Sequence, residues 1–110
     1  MTRSPSQQGR YKRRKGAEIE REIVRRHKEI GIHAERVAPL QANKDSDSSD
    51  IDVYPDGKDN APLCCEVKAR KAMPKWLFEW LGENDALFIR PNGQAPFIVM
   101  PWDTYVRLVK

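Results

Sequence analysis

Residues 50–68 read DIDVYPDGKDNAPLCCEVK, and the way this stretch folds decides the rest of the chain. Ile51-Asp52-Val53-Tyr54 alternates apolar and polar, Pro55-Asp56-Gly57 turns the chain, and Leu63 to Val67 alternates again, which predicts an antiparallel hairpin. A strand's period of two puts Glu66 and Lys68 on one face around core-facing Val67, and Asp50 and Asp52 on one face around Ile51. The hairpin is therefore expected to gather an aspartate, a glutamate and a lysine on one side of a sheet. Toward the N-terminus, Ile19, Ile23, Val24 and Ile30 recur at helical spacing from Gly16 to about Ile30, and Gly31 supplies a stop. Residues 32–38 (IHAERVA) read as a strand and residues 41–50 (QANKDSDSSD) as a polar loop. Beyond the hairpin, Trp76, Leu77, Phe78, Trp80 and Leu81 suit a short buried helix ending near Gly82. Residues 86–89 and 96–100 form two strands around the Arg90-Pro91-Asn92-Gly93 turn, and Trp102 to Leu108 a terminal helix. The expected order is α, β, β, β, α, β, β, α, an α/β fold of one small domain with one sheet.

The chain's 110 residues make one domain, with 39% hydrophobic and 33% charged residues allowing a small core. No apolar run approaches the roughly 20 residues that cross a bilayer, and the N-terminus lacks the apolar segment of a secretory signal, so a cytoplasmic protein without membrane partners is expected. Cys64 and Cys65 are adjacent, which excludes a disulfide scaffold. The net charge is +4, yet Arg3, Arg10, Lys12, Arg13, Arg14 and Lys15 stand among residues 1–16 without an acid, leaving −2 for the remainder. Residues 1–14 carry no apolar period and are expected to be a disordered basic arm, with residues 15–110 as the folded domain. Such an arm binds nucleic-acid phosphate by releasing counterions.

The first helix offers three glutamates, and helical geometry separates them. With Ile19 at zero, Ile30, Ile23, His27 and Val24 fall between about 20° and 140°, and Glu20 at about 100° lies inside that apolar arc. Glu18 and Glu22 point away from it. A carboxylate on a core-facing stripe needs a partner: a cation, a metal or a network of donors. Two carboxylates and a main-chain carbonyl, with waters, suit Mg²⁺. A bound ion acidifies a coordinated water and neutralises a phosphodiester's charge, and a neighbouring lysine can orient the water or stabilise developing charge.

Asp52, followed after a turn by Glu66-Val67-Lys68, resembles the D…ExK signature of the PD-(D/E)xK nuclease superfamily. Lys15-Gly16-Ala17-Glu18-Ile19-Glu20-Arg21-Glu22 opening a helix, then Gly31, a strand with Arg36, a loop, the aspartate strand and Cys64-Cys65-Glu66-Val67-Lys68 are together similar to the archaeal-type Holliday-junction resolvases. Small relatives of these enzymes are encoded by phages and prophages. The similarity covers roughly residues 15–70. It implies an αβββαβ restriction-endonuclease-like core with a mixed central sheet. Glu20, Asp52 and Glu66 would gather around Mg²⁺, for which Mn²⁺ can substitute, and Lys68 would serve the attacking water. The family often has proline before its aspartate, where this chain has Ile51, and Asp50 is a competing ligand preceded by Ser49. The acid-hydrophobic-Asp-hydrophobic form favours Asp52.

The resulting expectation is a metal-dependent DNA endonuclease acting on branched DNA in recombination, with Arg13, Arg14, Lys15, Arg36, Arg70, Lys71 and Lys75 as phosphate contacts. Symmetric cutting of a junction would require a homodimer. The competing reading is a non-catalytic nucleic-acid-binding module of the same fold; a restriction-type enzyme is disfavoured by the short chain. Asp45, Asp47 and Ser49 imitate the start of an EF-hand loop, but Asp50 stands where glycine is needed. Zinc is disfavoured because no C-x-x-C pair exists. His27 reads as a packed core histidine, and Trp76, Phe78 and Trp80 as core.

Overall fold

A computed structural model describes residues 5–37 and 50–110 of the chain, with side chains from Gly16 onward. Residues 1–4 of the expected arm and the polar loop up to residue 49 lie outside the described residues. Among the described residues the order is α1 (Pro5–Glu29), β1 (His33–Arg36), β2 (Ile51–Tyr54), β3 (Leu63–Cys65), α2 (Lys75–Leu81), β4 (Leu87–Ile89), β5 (Phe97–Val99) and α3 (Trp102–Val109). This mixed α/β order is the expected one. The strands, however, form two antiparallel sheets, β1-β2-β3 and β4-β5, in place of one mixed sheet. Within each sheet every strand pairs antiparallel with the strand next to it in sequence. No described helix is long and apolar enough to cross a membrane.

The chain divides into two compact units, Met1–Ala69 and Arg70–Lys110. In the first, the helix starts at Pro5, well before the Gly16 that apolar spacing suggests. Proline is accepted in a first helical turn, and the Gln, Arg and Lys that follow favour helix without any apolar period. The helix ends as expected. Gly31 adopts φ +82°, its N–H donating to the Lys28 carbonyl (3.0 Å) and the Ile32 N–H to that of His27 (2.9 Å), a Schellman closure. Arg26 and Lys28 in the last turn complement the helix dipole.

In the three-stranded sheet, Ala34 opposes Val53, Arg36 opposes Ile51, and Ile51 in turn opposes Cys65. Ala34, Ile51 and Val53 are at most 1% exposed and pack beneath α1 with Val24 and Ile32. Burying Ile51 or Val53 contributes about 1.5–3 kcal/mol each. His27 is buried beside them, and its Nδ1–H donates to the Ile23 carbonyl at 2.7 Å, as befits a core histidine.

The second unit has far less interior. Helix α2 stops at Gly82 as expected but contains no buried residue, so the expectation that Trp76, Phe78 and Trp80 form core is overturned: they are 46–60% exposed. Within this short helix Leu77 and Leu81, on one side, are the half-buried residues, and the three rings lie on the more exposed sides. The β4-β5 hairpin turns at Gly93 (φ +73°). In α3, Thr104 is the one buried residue, its hydroxyl donating to the Asp85 carbonyl at 2.7 Å.

Candidate active site

Alternation along β2 sends Ile51 and Val53 toward α1 and Asp52 to the opposite face, where it lies between Glu35 of β1 and Cys64 of β3. Asp50 sits one step before the strand and is tied on both sides. Its N–H donates to the Cys65 carbonyl (3.0 Å), and its carbonyl accepts from the Val37 N–H (3.1 Å). Extending the register opposes Asp50 to Glu66, but the regular ladder stops at Cys65. In place of a main-chain acceptor, the Asp50 Oδ2 accepts from the Val67 N–H at 2.7 Å. That bond fastens Asp50 to the middle of Glu66-Val67-Lys68. Lys68 Nζ lies 3.3 Å from Glu66 Oε1, and both side chains are well exposed, so the pair contributes at most about 1 kcal/mol.

Glu20 finds the partner that its place on the apolar arc demands, and the partner is a cation. The Arg36 Nε–H donates to Glu20 Oε1 at 2.9 Å, with the Glu20 side chain 19% exposed. Arg36 shares its strand face with Ala34, so this pair lies on the α1 side of the sheet. Glu20 and Asp52 are therefore on opposite faces, and the structure does not bring them together. Among the described residues no three His, Cys, Asp or Glu side chains converge as a cation cage. What does converge is Asp50 with the Glu66-Val67-Lys68 strand end. Two carboxylates are a donor set that fits Mg²⁺, which is commonly held by one or two carboxylates and keeps several waters. The register and the Val67–Asp50 bond place Asp50 beside the Glu66-Val67-Lys68 strand end and Asp52 beside Cys64.

Two features escaped the sequence reading. On the outer face of the sheet, the Tyr54 hydroxyl donates to Glu35 Oε1 (3.3 Å) and His33 Nε2–H to Glu35 Oε2 (3.2 Å), with the two rings 5.2 Å apart. Loss of water around the phenol, then the Glu35 charge and hydrogen bond, with Asp52 adding to them, raise the Tyr54 pKa above its usual 10.0. On the α1 side, Arg21, Val24, Arg25, Lys28 and Arg36 line a cleft of about 270 Å³. The i, i+4, i+7 spacing of Arg21, Arg25 and Lys28 was the available signal, since it places them on one helix face.

Of the other expected phosphate contacts, Arg13, Arg14 and Lys15 have their backbone on α1 and their side chains outside the described residues. Arg70, Lys71 and Lys75 are exposed in the second unit, where Lys75 Nζ lies 3.6 Å from Glu79 Oε1. Burial, then Cys64 and Asp52, raise the Cys65 thiol above its ordinary pKa, while Cys64 is exposed. Comparison with protein-family models, with curated proteins and with solved structures finds no match to this chain.

Proposed function

We propose that the chain is a metal-dependent endonuclease that hydrolyses DNA phosphodiester bonds, with branched junctions as its preferred substrate. One observation carries the reading: the 2.7 Å bond from Val67 N–H to Asp50 Oδ2, which brings an aspartate to an acid-x-lysine strand end. Asp50 and Glu66 would hold a divalent cation through hard oxygens. When bound, that ion supplies an acidified water and neutralises phosphate charge. Lys68, exposed beside Glu66, orients the water or stabilises charge developing on the phosphate oxygens. Arg36, held by Glu20, joins Arg21, Arg25 and Lys28 in a cationic cleft suited to the DNA backbone, so Glu20 acts as a positioning residue. The preference for four-way junctions rests on the resemblance of residues 15–70 to junction resolvases.

The test incubates purified full chain with four-way-junction and linear duplex DNA in Mg²⁺, in Mn²⁺ and in chelator. Cutting that needs metal and disappears in Glu66→Gln and Lys68→Ala supports the proposal. Tight DNA binding without cleavage under any metal would overturn it in favour of a non-catalytic binding module.

A further inference from the structure

We propose that the Trp76/Trp80 side of helix α2 stacks the unpaired bases of single-stranded DNA, with Arg70, Lys71 and Lys75 meeting the phosphates that join them. At about 100° per residue, α2 presents three pairs of residues spaced i, i+4. Leu77 and Leu81 form its half-buried side, Lys75 and Glu79 a polar side, and Trp76 and Trp80 the flank between the two. The two indoles are tilted at 55° with centroids 4.9 Å apart, within the range at which aromatic pairs attract. Each steadies the other, yet they remain 46% and 59% exposed. Rings held in place with open surface form a platform on which another π-face can lie without first ordering the side chains.

Charge selects what lies there. From Arg70 to Phe78 the chain carries three cations and no acid. All three are exposed, and Lys75, the residue before Trp76, keeps 90% of its side chain in solvent although its Nζ lies 3.6 Å from Glu79 Oε1. A flat π-system joined to an anion matches this succession of cations and rings, and a nucleotide is such a group. A duplex hides the faces of its bases, so exposed indoles meet them only where the strand is unpaired. Glu79, Glu83 and Asp85 follow the rings, which places the phosphates on the Arg70–Lys75 side. The same acids disfavour an anionic lipid surface, whose headgroups would meet them as well as the cations. The choice of DNA rests on the proposed endonuclease reading, to which this adds a stretch of unpaired strand as the feature recognised.

The test measures binding by the full chain, in chelator and at one fixed salt concentration, to a short single strand of DNA and to the same strand with abasic sites. The base-bearing strand is expected to bind at least about fivefold more tightly than the abasic one and to quench tryptophan emission. Trp76→Ala and Trp80→Ala should each weaken binding of the base-bearing strand by about fivefold or more and leave the abasic strand unchanged, a non-additivity that a merely structural role would not produce. Trp80→Phe, which keeps a ring, should retain most of the preference. With both tryptophans replaced, Trp102 alone emits and the quenching should vanish. Equal affinity for the two strands, or folded alanine variants that keep the wild-type preference, overturns the proposal. Emission that responds to anionic vesicles or to the chain's own concentration, and not to the strand, overturns it too. Should the alanine variants unfold, the wild-type comparison decides: equal affinities overturn it. A base preference in a chain that fails to cleave leaves the stacking site standing, whereas cleavage without that preference removes the stacking site alone.

Discussion

Replacing Asp50 separates a structural tie from a chemical role, because its carboxylate does both in the proposed mechanism. Asp50→Ala leaves the Val67 N–H, now bonded at 2.7 Å, without its acceptor, which costs about 1–3 kcal/mol. Asp50→Asn keeps an oxygen in the same place and exchanges a charge-assisted bond for a neutral one, a loss of about 1 kcal/mol. In a unit the size of Met1–Ala69, about 1 kcal/mol lowers Tm by about 4–8 °C. Thermal unfolding should therefore rank wild type above Asn above Ala, with the asparagine variant still folded at assay temperature. Cleavage should behave differently. The amide is a poor ligand for a hard dication, so Asp50→Asn is expected to lose about 100-fold or more in Mg²⁺-dependent kcat, the upper range for disturbing a metal site's supporting groups. Asp52→Asn, whose cross-strand neighbour is Cys64 and not Glu66, should change the rate by less than about threefold. A folded Asp50→Asn that cuts at the wild-type rate would refute the reasoning, since Asp50 would then be only a fastening for the strand end. Loss of activity in Asp52→Asn with Asp50→Asn unaffected would refute it equally.

Glu20→Gln and Arg36→Ala, with the double variant, should show a coupling of about 1–2 kcal/mol in urea unfolding, and Glu20→Gln should weaken DNA binding while leaving Mn²⁺ affinity within about twofold. A marked loss of Mn²⁺ affinity would instead make Glu20 a ligand. Tyr54 should ionise above its ordinary pH in an ultraviolet titration, and Glu35→Gln should move that ionisation down. Because the folded pKa is the higher one, this group's contribution to stability is complete below about pH 10 and is lost as pH rises through the folded value. Alkylation of the native chain should consume one thiol quickly, Cys64, and a second slowly, Cys65, and equal rates in the folded state would contradict the placement of the two side chains.

Much of the first unit can be read from residue order. The 3.6-residue recurrence of Ile19, Ile23 and Ile30, the stop at Gly31 and the alternation in residues 51–54 each act locally, so α1, its end and the β2-β3 hairpin follow from them. The start of α1 does not, since backbone propensity rather than apolar spacing carries the helix back to Pro5. Which cross-strand neighbour Asp50 and Asp52 each meet was also hidden. Two residues of the same type on the same strand face differ only in which cross-strand neighbour the register gives them, Glu66 or Cys64. The aromatic run at Trp76–Trp80 was read as core because it is apolar, and composition does not say whether a cover comes from the same chain.

Glu20 shows how a correct local inference leaves the chemistry open. Its position on the apolar arc requires a counter-charge, and both a metal ion and a guanidinium satisfy that requirement. In the structure a guanidinium meets it. Arg36 stands on the face that α1 covers, because Ala34 two residues earlier and Ile51 across from it are both buried there. The carboxylate is thereby neutralised before any ion arrives. Drawing Glu20 to a dication would strip Arg36 of its partner and leave a guanidinium facing the added positive charge, a rearrangement opposed twice over by electrostatics. Keeping the pair intact instead fixes the guanidinium in the cleft that Arg36 lines with Arg21, Arg25 and Lys28. Its remaining donors then meet a phosphate in a fixed orientation, at little further cost in side-chain entropy. On this reasoning the helix acts in the proposed reaction by holding the DNA backbone, and the acids that would bind metal are those of β2's leading edge and β3's end.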